Sequence, residues 1–290
     1  LEALSKNLLA DVSKLYIFAD GPKESATEEQ YQKIKDVRNY IREKKWCQEV
    51  EIIEREKNVG LANSVIAGVT EIVNKYGKII VLEDDLVTSV GFLKYMNEAL
   101  HLYSNEDKVM QISSYMFPLN VQLPETCFIT RGIHVWGWGT WKRAWRFFNP
   151  SAIDLLSKIK SRRIIHKFNF NGSKNYYMAL TQNVDHPESS WGIRWYASVF
   201  LQNGLSLIPG RSLVNNIGHD GSGINCGVNA VYYNKVLAKN IEIKPIPLNE
   251  NKNCFREIWK YRNSLKPGLF QQIKIKSWIW ASKIYVKYFK

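Results

Sequence analysis

The chain has 290 residues, a net charge of +13 and a hydrophobic fraction of 45%. This length fits one large α/β domain, or a domain with an appendage, and the hydrophobic content excludes a disordered chain. No apolar run is long enough to span a membrane. The charge is uneven, since residues 251–290 hold ten Lys or Arg against one acid and carry +9. The other residues carry only +4, so the composition does not favour nucleic-acid binding by the larger part of the chain.

The four cysteines lie far apart and include no Cys-x-x-Cys pair; they are Cys47, Cys127, Cys226 and Cys254. This spacing argues against a zinc ribbon and against a dense disulfide framework. It is typical of a protein in a reducing compartment.

Strands and helices are predicted to alternate up to about residue 112. In chain order they are strand 15–19, helix 28–45, strand 50–54, helix 61–76, strand 79–82, helix 92–103 and strand 109–112. This alternation predicts parallel βα units with right-handed crossovers. Beyond it, apolar spacing predicts helices in 151–183 and 190–203, a strand at 205–208 and a loop at 215–223.

Three consecutive acids follow the predicted strand 79–82: Glu83, Asp84 and Asp85. Ligands bind beyond the carboxyl ends of strands in open α/β sheets. Three crowded carboxylates repel one another, and a hard divalent cation such as Mg²⁺ or Mn²⁺ suits their oxygens. The alternative is an acidic cap on the first turn of a following helix.

Four further segments stand in a fixed order around these acids. They are Phe18-Ala19-Asp20-Gly21-Pro22, Asn58-Val59-Gly60-Leu61-Ala62, the aromatic run from Trp136 to Trp141, and Trp191 to Trp195 followed by Asn216-Ile217-Gly218. Together with the acids, they resemble the nucleotide-sugar glycosyltransferases of GT-A fold. The chain is similar to bacterial polysaccharide transferases (family 2-like) and, more distantly, to the N-acetylglucosaminyltransferases that begin N-glycan branching.

The resemblance implies an α/β fold with a Rossmann-like, mostly parallel central sheet flanked by helices. It extends over a GT-A domain at 1–250, with a nucleotide-binding half at about 1–112 and an acceptor half at about 113–250. The opening strand of the family has no counterpart here. Residues 251–290 are predicted to form a basic, helical C-terminal appendage.

The resemblance also assigns roles to the acids. Asp85 matches the metal ligand, and Glu83 and Asp84 would contact hydroxyls of the donor sugar and ribose. On a strand, Glu83 and Asp85 share one face. Asp20 matches the acid that reads a uracil base, although an Asp before Gly and Pro also forms an Asx-turn.

Asn58 and Gly60 match a loop that passes close to the nucleotide, where glycine permits a near approach of the backbone. An ordinary turn at the start of a helix explains the same residues. Trp138, within the aromatic run, is predicted to shape the donor-sugar pocket. Packing in an aromatic core is the alternative for tryptophans of this run.

An inverting transferase needs a general base for the acceptor hydroxyl. Relatives keep an acid in or just before the tryptophan-rich helix, whereas Gly192 stands there in this chain. Glu188 and Asp185 are the nearest acids, and Glu188 is preferred because Pro187 defines the entry to the helix. Helix capping is its alternative. His219 is a candidate second metal ligand, although a lone histidine is more often structural.

The predicted function is a metal-dependent inverting glycosyltransferase with Mn²⁺ or Mg²⁺ as cofactor. It would move a hexose or N-acetylhexosamine from a nucleotide diphosphate-sugar, expected to be a UDP-sugar, to a glycan or lipid-linked acceptor of bacterial surface polysaccharide. Alternatives are an inactive nucleotide- or sugar-binding protein of the same fold, and a phosphodiesterase or nuclease with a second metal. No nucleic-acid partner is expected.

The predicted location is cytoplasmic, on the inner face of the plasma membrane. Residues 265–290 mix lysines with tryptophan, tyrosine and phenylalanine, a composition suited to the surface of an anionic membrane. A helix packed on the catalytic domain is the alternative.

Overall fold

The computed structural model of the chain describes residues 1–220 and 231–266. Nine strands lie within them: β1 (Lys14–Ala19), β2 (Glu49–Glu54), β3 (Lys78–Val81), β4 (Leu86–Thr88), β5 (Val109–Ser113), β6 (Thr126–Ile129), β7 (Trp138–Trp141), β8 (Leu205–Pro209) and β9 (Val214–Asn216). The α-helices described are α1 (Glu2–Ser5), α2 (Glu28–Tyr40), α3 (Leu61–Tyr76), α4 (Phe92–Leu102), α5 (Lys142–Trp145), α6 (Ala152–Ser161), α7 (Ile165–Phe168), α8 (Tyr176–Asp185), α9 (Gly192–Leu201) and α10 (Lys252–Ser264).

The first part of the chain folds as its apolar spacing predicts. Each strand and helix expected up to residue 112 is present, and α3 has the predicted bounds. Helix α2 ends earlier than predicted, at Tyr40. Its start is fixed by Thr27, whose hydroxyl accepts from the Gln30 amide while the Gln30 side chain accepts from the Thr27 amide.

The central sheet is mixed, so a mostly parallel sheet is not confirmed. Its five strands follow the order β3-β7-β5-β8-β6. Only β5 and β8 run parallel, whereas the pairs β3–β7, β5–β7 and β6–β8 are antiparallel. Strands β1 and β2 form a separate parallel pair. The reason is that β7 inserts between β3 and β5, so β3 does not pair with another strand of the alternating βα region.

Register defines the end of this sheet at which the three acids lie. Val81 of β3 is paired with Trp138 of β7, and Trp138 is paired with Ser113 of β5. The acids follow Val81 after a single residue, Leu82. Helix α3 connects β2 to β3, so its first residue, Leu61, lies toward the same end of the sheet as the acids.

Helix α10 packs against the sheet. Asn251 caps it by accepting from the Cys254 amide, and the Asn251 amide donates to the Phe128 carbonyl of β6. Cys254 and Ile258 are buried. Cys254 forms a disulfide with Cys127 of β6, a pair separated by 127 residues. This disulfide was not predicted, and it weighs against the reducing compartment inferred from cysteine spacing.

We expect this disulfide to contribute to stability, because it closes a long loop in the unfolded chain. A reductant should lower the free energy of unfolding of the oxidised protein by about 2–4 kcal/mol. Cys254→Ser should show the lower stability from the outset and no response to reductant, whereas Cys47→Ser, which removes a buried free thiol, should keep the response. Denaturant unfolding with and without reductant measures this, and an unresponsive parent protein contradicts it.

Candidate functional site

The acids lie in the short connection between β3 and β4, and their surroundings differ. Asp84 is exposed, whereas Glu83 is half-buried. Burial and, to a lesser extent, the charges of Asp85 and Asp84 raise the pKa of Glu83 to about 7. Glu83 is therefore mostly protonated below about pH 7 as long as no cation lies beside it.

Asp85 is fixed by the antiparallel pairing of β4 with β9, in which Leu86 is opposite Asn216. The Asn216 side-chain amide donates to Asp85 Oδ2 over 2.8 Å, and the Ile217 amide donates to the Asp85 carbonyl over 2.8 Å. Asp85 Oδ1 is buried and has no hydrogen-bond partner among the described residues. Burial raises the pKa of Asp85, while the Asn216 hydrogen bond opposes this shift.

Gly218 allows the loop after β9 to approach this carboxylate. A Cβ atom at this position would lie 2.7 Å from Asp85 Oδ2. The Gly218 amide donates to Asn216 Oδ1 over 2.8 Å, which orients the side chain that holds Asp85. Asn216 and Gly218 thus have roles that the sequence did not reveal, although both lie in a motif that it singled out.

His219 follows in a short 3₁₀ turn, Gly218–Asp220. Both of its ring nitrogens are buried without a hydrogen-bond partner among the described residues. The ring packs against Trp136 at 5.4 Å and Tyr232 at 5.5 Å between centroids. His219 follows directly on Gly218, the residue that approaches the Asp85 carboxylate.

Asp85 and His219 can hold a divalent cation only if a bound molecule supplies further ligands to it. Within residues 1–220 and 231–266, no group of three or more His, Cys, Asp or Glu side chains is placed to hold a metal ion. Among the described residues, Asp85 Oδ1 and both ring nitrogens of His219 are buried without a hydrogen-bond partner, and Gly218 brings the loop that carries His219 close to Asp85. Mg²⁺ in particular takes one or two protein ligands and completes its shell with water and substrate phosphate. A divalent ion held by Asp85 and His219 would therefore need further oxygen ligands from water or from a bound phosphate.

Asp20 organises the loop between β2 and α3. Its Oδ1 accepts from the Gly21 and Val59 amides, and its Oδ2 accepts from the Gly60 amide, at 2.9 to 3.0 Å. The Asn58 side chain donates to the Gly21 carbonyl over 3.0 Å. Gly60 has φ of +80°, which favours glycine at this point. The structure brings Asp20, Asn58 and Gly60 together, and most of the Asp20 acceptor capacity is used within the loop.

Trp138 lies in the core instead of lining a pocket. It has no exposed surface and stacks on Trp191 with ring centroids 5.0 Å apart. Trp145 and Trp195 complete this aromatic cluster. Trp136, two residues earlier, is half-buried, and its ring packs beside that of His219.

Glu188 and Asp185 are exposed near the start of α9. Asp185 is the last residue of α8, and Glu188 lies in the following turn, 3.5 Å from His186 Nδ1. The Glu188 Cβ lies 4.0 Å from the position of a Cβ on Gly60. The structure thus places Glu188 beside the 58–60 loop, and no hydrogen bond or ion pair of the Asp185 side chain was found among the described residues.

The raised pKa of Glu83 predicts a pH dependence of stability. The folded chain keeps this proton up to about pH 7, whereas the unfolded chain releases it near the ordinary value of 4.5. Stability from this group is therefore present below pH 4.5 and is lost as the pH rises to 7. Relative to the parent, Glu83→Gln should gain about 1–2 kcal/mol between pH 4.5 and 8, allowing for partial exposure.

Denaturant unfolding of both proteins at the two pH values measures this difference. Glu71→Gln, which changes an exposed glutamate of α3, serves as the control and should follow the parent. A Glu83→Gln variant whose stability parallels the parent at both pH values would show that Glu83 is ionised in the folded chain at pH 5.

Comparison with protein-family models and with curated proteins finds no match to this chain. In the part of the chain that the structure describes, no helix has both the length and the apolar character needed to cross a membrane. The site geometry and the motifs therefore carry the functional argument.

Proposed function

We propose that the chain is a metal-dependent inverting glycosyltransferase that uses a nucleotide diphosphate-sugar, most simply a UDP-sugar. The observation that carries this proposal is that Asp85 Oδ1, after β3, and the His219 ring, after β9, are buried without hydrogen-bond partners among the described residues. They suit an ion shared with a pyrophosphate. The resemblance to the GT-A transferases supplies the reaction, and the acceptor would be a glycan or a lipid-linked sugar of bacterial surface polysaccharide.

Asp85 and His219 would hold the Mn²⁺ or Mg²⁺ ion, with Asn216 orienting Asp85. When bound, the ion stabilises the negative charge of the leaving nucleotide diphosphate. Glu83 would contact a hydroxyl of the donor sugar or the ribose, as the resemblance implies. Trp136 has a half-buried ring beside His219, and we propose that a sugar ring stacks on it in place of Trp138.

Glu188 would act as general base. The acceptor oxygen attacks the anomeric carbon, the bond from that carbon to the diphosphate oxygen breaks, and the acceptor proton passes to the Glu188 carboxylate. The charge of the departing group stays on the nucleotide diphosphate. The position of Glu188 next to the 58–60 loop supports this role, because that loop is the proposed nucleotide-binding segment.

A thermal-shift screen of nucleotide diphosphates with and without Mn²⁺ tests the proposal. A ligand that binds only the folded chain stabilises it by mass action, by about 2.7 kcal/mol at a hundredfold excess over Kd. We expect UDP with Mn²⁺ to raise the midpoint and UDP alone to have little effect. Stabilisation without turnover of any UDP-sugar would favour an inactive binding protein of the same fold. The reason to consider this alternative is Gly192 at the start of α9, which stands where relatives keep an acid.

We also propose that the chain attaches peripherally to an anionic membrane through residues 265–290, of which 267–290 lie outside the described residues. The full chain should sediment with anionic vesicles at low salt, and a version ending at Lys266 should remain in the supernatant. Each basic residue near such a surface contributes about 1 kcal/mol. Equal sedimentation of the two proteins, or none by either, contradicts this attachment.

The proposed face of the membrane is cytoplasmic, and the Cys127–Cys254 disulfide stands against this part of the proposal. Alkylation of thiols in intact cells that make the chain tests it. Free thiols at both positions support a cytoplasmic location, and a persistent disulfide indicates an oxidising compartment.

A further inference from the structure

The turn between α8 and α9, residues 186–190, carries Glu188 and is held from inside the domain. Asn183 of α8 is buried, and its side-chain amide donates to the carbonyls of His186 and Ser190 over 3.1 and 3.0 Å. The Ser189 amide and hydroxyl both donate to the His186 carbonyl. The exposed carboxylate of Glu188 therefore stands on a backbone that is fixed on its inner side.

Arg194, in the first turn of α9, makes the larger contribution. Its Nη2 donates to the carbonyls of Pro187 over 2.7 Å and Ser190 over 3.1 Å, and its Nε donates to the Ser190 carbonyl over 3.3 Å. Its Nη1 donates to the Pro150 carbonyl over 3.2 Å. The guanidinium thus bonds to the carbonyls on both sides of Glu188 and links them to the segment before α6.

This arginine is unusual because it is buried, with 4% exposure, and forms no ion pair among the described residues. Desolvating a guanidinium without a carboxylate partner is unfavourable. Each of its hydrogen bonds goes to a backbone carbonyl, and three of the four go to the turn that carries Glu188. Such an arrangement fixes the turn more than it stabilises the helix.

We propose that Arg194 is a positioning residue: it holds the 186–190 turn so that Glu188 faces the 58–60 loop. This inference rests on the proposed function, since it acts through Glu188 as general base. A lysine in its place keeps the charge but lacks the planar fork that reaches both carbonyls. A shift of the base by about 1 Å is enough to reduce turnover strongly.

The first measurement is amide hydrogen exchange together with UDP release from a panel of UDP-sugars. In Arg194→Lys, the Ser189 amide should exchange about tenfold faster or more, because its acceptor lies in the released turn. Turnover should fall about tenfold to a hundredfold. Binding of UDP with Mn²⁺ should stay as in the parent, because Arg194 does not contact the acids or the 58–60 loop.

The matched control is Arg143→Lys. Arg143 also bonds to three backbone carbonyls, those of Tyr103, Ser104 and Val109, each over 2.8 Å. It lies at the opposite end of the sheet, where β5 begins. This variant should lose stability as Arg194→Lys does, yet keep the parent exchange at Ser189 and the parent turnover.

The double variant Glu188→Gln/Arg194→Lys separates positioning from general structural support. If Arg194 acts through Glu188, the lysine substitution has little further effect on turnover once Glu188 is replaced. An equal loss in both backgrounds, or unchanged Ser189 exchange in Arg194→Lys, overturns the inference. A parent chain that binds no UDP with Mn²⁺ overturns the proposed function instead, and the exchange data remain interpretable in that case.

Discussion

Asp85→Asn should abolish the Mn²⁺-dependent binding of UDP while leaving the fold intact. The substitution removes the charge that faces the proposed ion but keeps a side-chain oxygen for the Asn216 amide. It also relieves the cost of burying a carboxylate whose pKa is raised. We expect a loss of affinity of at least about a hundredfold, since replacing even an outer-shell partner of a metal ligand costs tenfold to a hundredfold.

Titration calorimetry with UDP, at fixed Mn²⁺, measures this loss, and thermal unfolding checks the fold. Asp107→Asn is a suitable control, because Asp107 is an exposed acid just before β5, at the far end of the sheet. If Asp85→Asn binds UDP and Mn²⁺ as tightly as the parent, Asp85 is not a metal ligand.

Glu188→Gln should reduce turnover by about a hundredfold or more, the usual effect of losing a general base. Glutamine keeps the size of the side chain and its place beside Gly60, so UDP binding should change little. Asp185→Asn should behave as the parent, because Asp185 ends α8 outside the turn that Arg194 holds.

Initial rates of UDP release from the best donor provide the comparison. If Asp185→Asn is inactive and Glu188→Gln active, the two acids exchange roles. If both variants keep full activity, the base is another group and the assignment of Glu188 fails.

The sequence predicts those parts of the fold in which apolar residues recur with a regular period. Helix α3, with Val69, Ile72 and Val73 buried, is recovered with its bounds. Strands β6 and β7 were missed for different reasons. Residues 126–129 are buried on both faces and show no alternation. Residues 138–141 place two tryptophans on either side of Gly139 and Thr140, a pattern that equally suggests a sugar-binding loop.

The missed strand β7 also explains the error about the sheet. A chain that alternates strands and helices predicts parallel neighbours, and this expectation holds for β1 with β2. Nothing local in residues 138–141 indicates that they return antiparallel and insert beside β3. Such a pairing depends on contacts between residues about 60 positions apart, which periodicity does not report.

Only part of the candidate site was predictable, because some of its contacts join residues that are far apart in the sequence. Asp85 is marked by its place after an apolar strand, whereas its partner Asn216 stands 131 residues away. Trp138 was predicted to shape the donor-sugar pocket because it lies in an aromatic run. In the structure it is fully buried and stacks on Trp191. Arg194 lies within the motif from Trp191 to Trp195 but was given no role, since an arginine in an amphipathic helix is expected to face solvent.

The most direct test of the central claim is a calorimetric titration of Mn²⁺ into the full chain in the presence of saturating UDP, at pH 7.5. We expect one Mn²⁺ to bind per chain, this binding to weaken strongly without UDP, and Asp85→Asn to lose it. Absence of any UDP-dependent binding of Mn²⁺, or identical binding by the parent and Asp85→Asn, would contradict it.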